Sequence, residues 1–103
     1  MIIKYDNHYL EELYDTGKCK DKRIFYQPQV IRKYQKRIDT LMAATRIEDL
    51  FAFNSLNFEA IKESGYYSIR IDIHYRLEFT VEQQEGEAII SVCTIKDISN
   101  HYQ

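Results

Sequence analysis

Residues 67–79 read Tyr-Ser-Ile-Arg-Ile-Asp-Ile-His-Tyr-Arg-Leu-Glu-Phe, two runs of alternating apolar and polar residues joined at Asp72-Ile73-His74. A period of two is that of a half-buried strand, and the short polar link between the runs predicts a hairpin. Ile69, Ile71, Leu77 and Phe79 must share the core face, so both strands turn their odd-numbered residues inward. A hairpin centred on Ile73 then sets Arg70 directly opposite Arg76 on the other face. Like charges facing each other across a strand pair are destabilising. Splaying into water or pairing with Asp72 or Glu78 relieves the repulsion, and so does an anion such as phosphate held between two guanidinium groups.

The alternation extends to residues 58–62 and 88–95, and the links at 63–65 and 83–87 are short and polar. Four strands in an antiparallel meander follow from this pattern. Upstream the period is that of a helix. Residues 1–5 read as a short strand, Asp6 or Asn7 as a helix N-cap, Leu10, Leu13 and Tyr14 as the apolar face of a first helix, and Gly17 as its stop. Pro28 opens a second helix, where its missing N–H costs nothing. There Val30, Ile31, Tyr34, Ile38, Leu41 and Met42 form an apolar stripe, with Arg32, Lys33, Lys36 and Arg37 on the opposite side. Residues 47–53 look like a single helical turn. The order β-α-α-β-β-β-β predicts an α+β fold, with two N-terminal helices packed on one face of a small twisted antiparallel sheet and the other face open.

The 103 residues, 45% hydrophobic and 29% charged, fit one soluble domain spanning 1–103, and nine Tyr with five Phe supply large apolar bodies for its core. No apolar run approaches a membrane span, and Met-Ile-Ile-Lys-Tyr-Asp at the start lacks the features of a signal peptide, which points to the cytoplasm and away from membranes. Cys19 and Cys93 are far apart and outside any metal-ligand spacing, so both are read as free thiols, Cys93 in the core. The formal charge of −2 conceals an asymmetry. Lys18, Lys20, Lys22, Arg23, Arg32, Lys33, Lys36 and Arg37 stand against Asp21 alone within residues 18–37, a local basic cluster of the kind on which phosphate binding depends. A solvated helix face, or a stripe that docks on an acidic protein, fits the same run.

Lys62 ends the first strand of the meander, and His101 and Tyr102 follow the last one, where a His and a Tyr could move protons. His8 and His74 read as surface residues of a first helical turn and a hairpin loop. The sequence has no G-x-G-x-x-G, P-loop, H-E-x-x-H or nucleophile-elbow pattern, so the expected chemistry uses no cofactor and no metal.

Six segments then arrive in a recognisable order: Leu-Tyr-Asp-Thr-Gly-Lys (13–18), Ala-Ala-Thr-Arg-Ile-Glu-Asp-Leu (43–50), Ser-Leu-Asn-Phe-Glu-Ala-Ile-Lys (55–62), Tyr-Ser-Ile-Arg-Ile (67–71), Tyr-Arg-Leu-Glu-Phe (75–79) and Asn-His-Tyr (100–102). With them the chain resembles HigB-type toxins of the RelE/ParE superfamily, over almost its whole length from about Tyr9. The resemblance implies a toxin-antitoxin toxin that enters the ribosomal A site and cleaves mRNA, inhibiting translation, and that is silenced by an HTH-type, HigA-like antitoxin. It implies no small-molecule substrate. By position it makes Lys62, Arg70 and Arg76 the cations around the scissile phosphate, and His101 or Tyr102 the proton carrier, and it makes the basic cluster of residues 18–37 the grip on RNA. Two departures stand out: the family presents Tyr before His in the tail, and Glu59 occupies a position where the family has His. They leave open a catalytically decayed, antitoxin-binding module, and the shared fold leaves open a ParE-like gyrase inhibitor.

Overall fold

The computed structural model describes residues 1–86 and 89–100. Strand β1 (Ile2–Tyr5) leads into helix α1 (His8–Thr16) and helix α2 (Pro28–Ala43), and two 3-10 turns follow at Ile47–Ala52 and Asn54–Leu56. Strands β2 (Glu59–Ala60), β3 (Tyr67–Arg70), β4 (Tyr75–Gln84) and β5 (Ile90–Asn100) complete the order. The helix boundaries come from local chemistry. The Asn7 side chain accepts a hydrogen bond from the Tyr9 N–H, and Gly17, at φ 72°, takes the left-handed conformation that closes α1. Pro28 stands in the first turn of α2.

The five strands lie in the order β1-β5-β4-β3-β2. Neighbours from β2 to β5 are antiparallel, but β1 runs parallel to β5, with Ile3 beside Cys93, so the sheet is mixed rather than antiparallel throughout. No hairpin joins β1 to β5; nearly the whole chain intervenes, which frees the pair from the antiparallel direction a tight turn imposes. The central hairpin has the register expected of it, with Ile69 opposite Leu77 and Arg70 opposite Arg76.

Three other expectations are corrected. The first strand of the meander has two residues, because Phe58 turns its ring onto Phe51 and Tyr67, at 5.0 and 5.4 Å between centroids, and the chain bends again where the Gly65 N–H reaches the Ile61 carbonyl. Lys62 therefore sits in that turn instead of on a strand. The last strand continues to Asn100 through a bulge, since Phe79 pairs with Ile95 while Glu78 pairs with Asp97 and Lys96 is the extra residue. Met42, assigned to the apolar stripe, is 46% exposed; Leu41, one position earlier, takes the core-facing place on the helix.

Both helices cover the face carrying Ile69, Ile71, Leu77, Phe79, Cys93 and Ile95, and Leu10, Leu13, Tyr34, Ile38 and Leu41 meet them in one core. Burial pushes the Cys93 thiol up to about 12, which keeps it neutral and inert. Side chains tie α2 to α1: the buried Tyr34 hydroxyl donates to the Leu10 carbonyl at 2.6 Å, the Tyr14 hydroxyl donates to Asp39, and Gln35 Nε2 donates to the carbonyls of Leu13 and Tyr14 at 3.2 Å, at the end where the carbonyls of α1 run out of intrahelical donors. Replacing Tyr34 by Phe is expected to lower unfolding stability by about 1 kcal/mol and replacing Phe79 by Ala by about 3–5 kcal/mol, as read from urea denaturation.

Candidate nucleic-acid interface

A groove of about 970 Å³ runs between α2 and the turn of the β3–β4 hairpin. Three cations of the basic run, Lys33, Lys36 and Arg37, reach it from α2; Arg70 comes from the end of β3, His74 from the hairpin loop, and Asn57 from the chain leaving the 3-10 turns. Successive turns of α2 place Lys33, Lys36 and Arg37 on adjoining sides of the helix, one wall of the groove.

Arg37 is half-buried and donates from Nε to the Arg70 carbonyl oxygen at 2.6 Å, which pins helix to strand. Its burial, and then the nearby charge of Arg70, push its pKa below the usual value, although a guanidinium remains charged at any physiological pH. Asp72, the carboxylate on the groove wall, is spent on the hairpin: its Oδ1 accepts the N–H groups of both His74 and Tyr75 at 2.8 Å. Among the described residues Lys33, Lys36, Arg37 and Arg70 form no ion pair. Four cations and the one carboxylate of Asp72 line this concavity, so the local potential favours an anion in a way that the chain's net charge does not convey.

Arg76, opposite Arg70, is employed differently. Its Nε donates to the buried Ser68 hydroxyl at 2.8 Å, and one terminal nitrogen donates to the Asn57 carbonyl and, at 3.3 Å, to that of Ser68. Asn57 has a left-handed backbone, φ 46° and ψ 54°, as it ends the second 3-10 turn. Arg76 thus straps that turn to the sheet and sets the position of Asn57 on the groove wall.

The remaining sequence-derived residues are distributed unevenly. Lys62 is exposed in its turn and does not line the groove. Lys18, Lys20, Lys22 and Arg23 lie in the connection between the helices, where Arg23 is held by both carboxylate oxygens of Asp21 at 3.0 and 2.9 Å, and Arg32 is exposed on α2 without entering the groove. Of the basic run, Lys33, Lys36 and Arg37 line the groove and the other five cations do not. His101 and Tyr102 lie outside the described residues. Glu59, on β2, pairs with Ser68. The sequence reading missed His74 and Asn57 as groove residues and the link from Arg37 to Arg70; the position of His74 in the loop beside Arg70 was the available signal.

No protein-family model matches the sequence, and no curated protein matches it. Among solved structures, a YoeB/ParE toxin from Agrobacterium tumefaciens superposes with a TM-score of 0.52 over 99% of this chain and 100% of that one, at 17% sequence identity. The chain has the fold of that toxin. Cutting the Arg76 strap with Arg76→Ala removes charge-assisted bonds to Ser68 and Asn57, so it is expected to cost about 1.5–3 kcal/mol in urea denaturation and to speed amide exchange across residues 54–58.

Proposed function

We propose that this chain is the toxin of a toxin-antitoxin pair, of the HigB type, and that it acts in the cytoplasm as a ribosome-dependent endoribonuclease that cleaves mRNA in the A site. The observation that carries this reading is the groove of four cations that form no ion pair among the described residues, on a chain with the fold of a YoeB/ParE toxin. The remaining support is the ordered set of sequence segments that resembles HigB. The proposed partner that silences it is an HTH-type, HigA-like antitoxin.

The reaction is attack of a ribose 2′-oxygen on the adjacent 3′-phosphorus. The P–O5′ bond breaks, leaving a 2′,3′-cyclic phosphate and a free 5′-hydroxyl. A base removes the 2′ proton, an acid protonates the departing 5′-oxygen, and cations stabilise the additional charge on the phosphorane. Arg70 is the proposed contact to the phosphate, because no acceptor among the described residues takes a hydrogen bond from its guanidinium. Arg37 supports it from α2, and Lys33 and Lys36 hold the flanking backbone. Arg76, by contrast, acts chiefly by fixing Asn57 and the wall of the groove. Lys62 is assigned to the outer RNA contact, and proton transfer to His101 or Tyr102, which follow the end of β5.

Induced expression in a bacterial host, with growth curves and primer extension across a translated mRNA, tests the reading. The wild type should arrest growth and produce new in-frame cuts, and Arg70→Ala should lose about 100- to 1,000-fold in cleavage rate, the loss typical of removing one donor to a developing oxyanion. Arrest with trapped gyrase and no cuts would instead establish a ParE-like gyrase inhibitor, and soluble expression without arrest a decayed antitoxin-binding module. Charge reversal on the exposed wall, Lys33→Glu with Lys36→Glu, should weaken co-sedimentation with ribosomes and flatten its salt dependence; the double variant avoids Arg37, whose side chain holds helix to strand.

A further inference from the structure

A second depression, of about 630 Å³, lies between the C-terminal half of α2 and the two 3-10 turns, and Arg37 and Ser55 line both it and the cationic groove. Its floor is apolar, formed by Ala43, Ala44, Leu56 and the ring of Phe53. Phe53, at the junction of the two turns, is 53% exposed and lines the depression, so its ring is open to a ligand there. The carboxylates on the rim are engaged. Arg46 Nε stands 3.8 Å from an oxygen of each of Glu48 and Asp49, and Asp49 Oδ2 accepts the N–H groups of Thr45 and Arg46 at 2.9 and 3.2 Å.

We propose that this depression is a nucleobase subsite, in which an unstacked base of single-stranded RNA, next to the phosphate held at Arg37 and Arg70, lies against the face of Phe53. The inference rests on the ribonuclease reading and adds the contact that positions the substrate. Single-stranded nucleic acid is held by cations that follow the backbone together with aromatic rings that take the bases, and the two adjoining concavities supply one of each. The adjoining groove decides the occupant: an apolar lining that continues past Arg37 and Ser55 to Lys33, Lys36 and Arg70 suits a base attached to its phosphate. The arrangement also gives the Arg76 strap a purpose, since it ties the segment that carries Phe53 to the sheet that carries Arg70. Every base has a π-face, so the subsite orders the strand without selecting one nucleotide.

The test is single-turnover cleavage of an mRNA on programmed ribosomes with the chain in excess, using wild type, Phe53→Ala, Phe53→Trp, Ala43→Trp and Arg70→Ala. Phe53→Ala should slow cleavage about 5- to 150-fold, the worth of one base–ring stack, while Phe53→Trp stays close to wild type. Ala43 is exposed at the end of α2, so Ala43→Trp should fill the depression and give a similar loss without disturbing the core. On an mRNA made abasic on both sides of the cut, wild type and Phe53→Ala should cleave at one rate. Wild-type rates for both Phe53→Ala and Ala43→Trp beside a defective Arg70→Ala would overturn the subsite and leave the ribonuclease standing. A Phe53→Ala loss of equal size on the abasic mRNA would make the ring structural and overturn the subsite, as would normal cleavage with antitoxin binding lost, which assigns the depression to a protein side chain. No cleavage by the wild type would overturn the ribonuclease reading itself.

Discussion

In the β3–β4 hairpin, Ile69 faces Leu77 and Tyr67 faces Phe79, and the burial of these side chains beneath the helices sets the register on which the groove depends. A slip of one residue would turn every side chain of either strand to the wrong face. Burying one large apolar side chain contributes about 1.5–3 kcal/mol, whereas an unfavourable cross-strand pair costs less than about 1 kcal/mol. Core burial therefore prevails over the repulsion between Arg70 and Arg76, and the surrounding structure is arranged to accommodate two guanidinium groups that the core has forced together.

The accommodation is asymmetric. Arg76 turns back along the sheet to Ser68 and Asn57 and becomes part of the scaffold. Arg70 keeps its guanidinium at the groove, while its backbone carbonyl receives Arg37 from α2. Asp72, in the hairpin turn, uses Oδ1 to accept two backbone N–H groups of that turn. Of the two arginines, Arg70 is the one left for something outside the chain.

The same logic explains how a chain of net charge −2 presents a cationic surface. Binding of an anion depends on the field inside a concavity, and acids elsewhere on the molecule are screened by salt beyond about 10 Å. Where acids approach the site, as Glu48 and Asp49 do at the second depression, Arg46 and backbone N–H groups hold them.

By itself the sequence determined the features that rest on neighbours along the chain: an N-cap for α1 at Asp6 or Asn7 and its stop at Gly17, the start of α2 at Pro28, the change of period at the sheet, and the facing of Arg70 and Arg76 across a tight hairpin. Periodicity, caps and turns act over a few residues, so each is legible locally. Only the tertiary structure decided that β1 runs parallel beside β5, that β2 ends before Lys62, and that β5 extends to Asn100. It alone showed that Arg76 is a strap, and that Lys33, Lys36 and Arg37 share a wall with Arg70 and His74 while the rest of the basic run does not. These outcomes depend on hydrogen bonds and packing between segments tens of residues apart, and on which acceptors remain free once the core has closed; no local pattern in the chain encodes that competition.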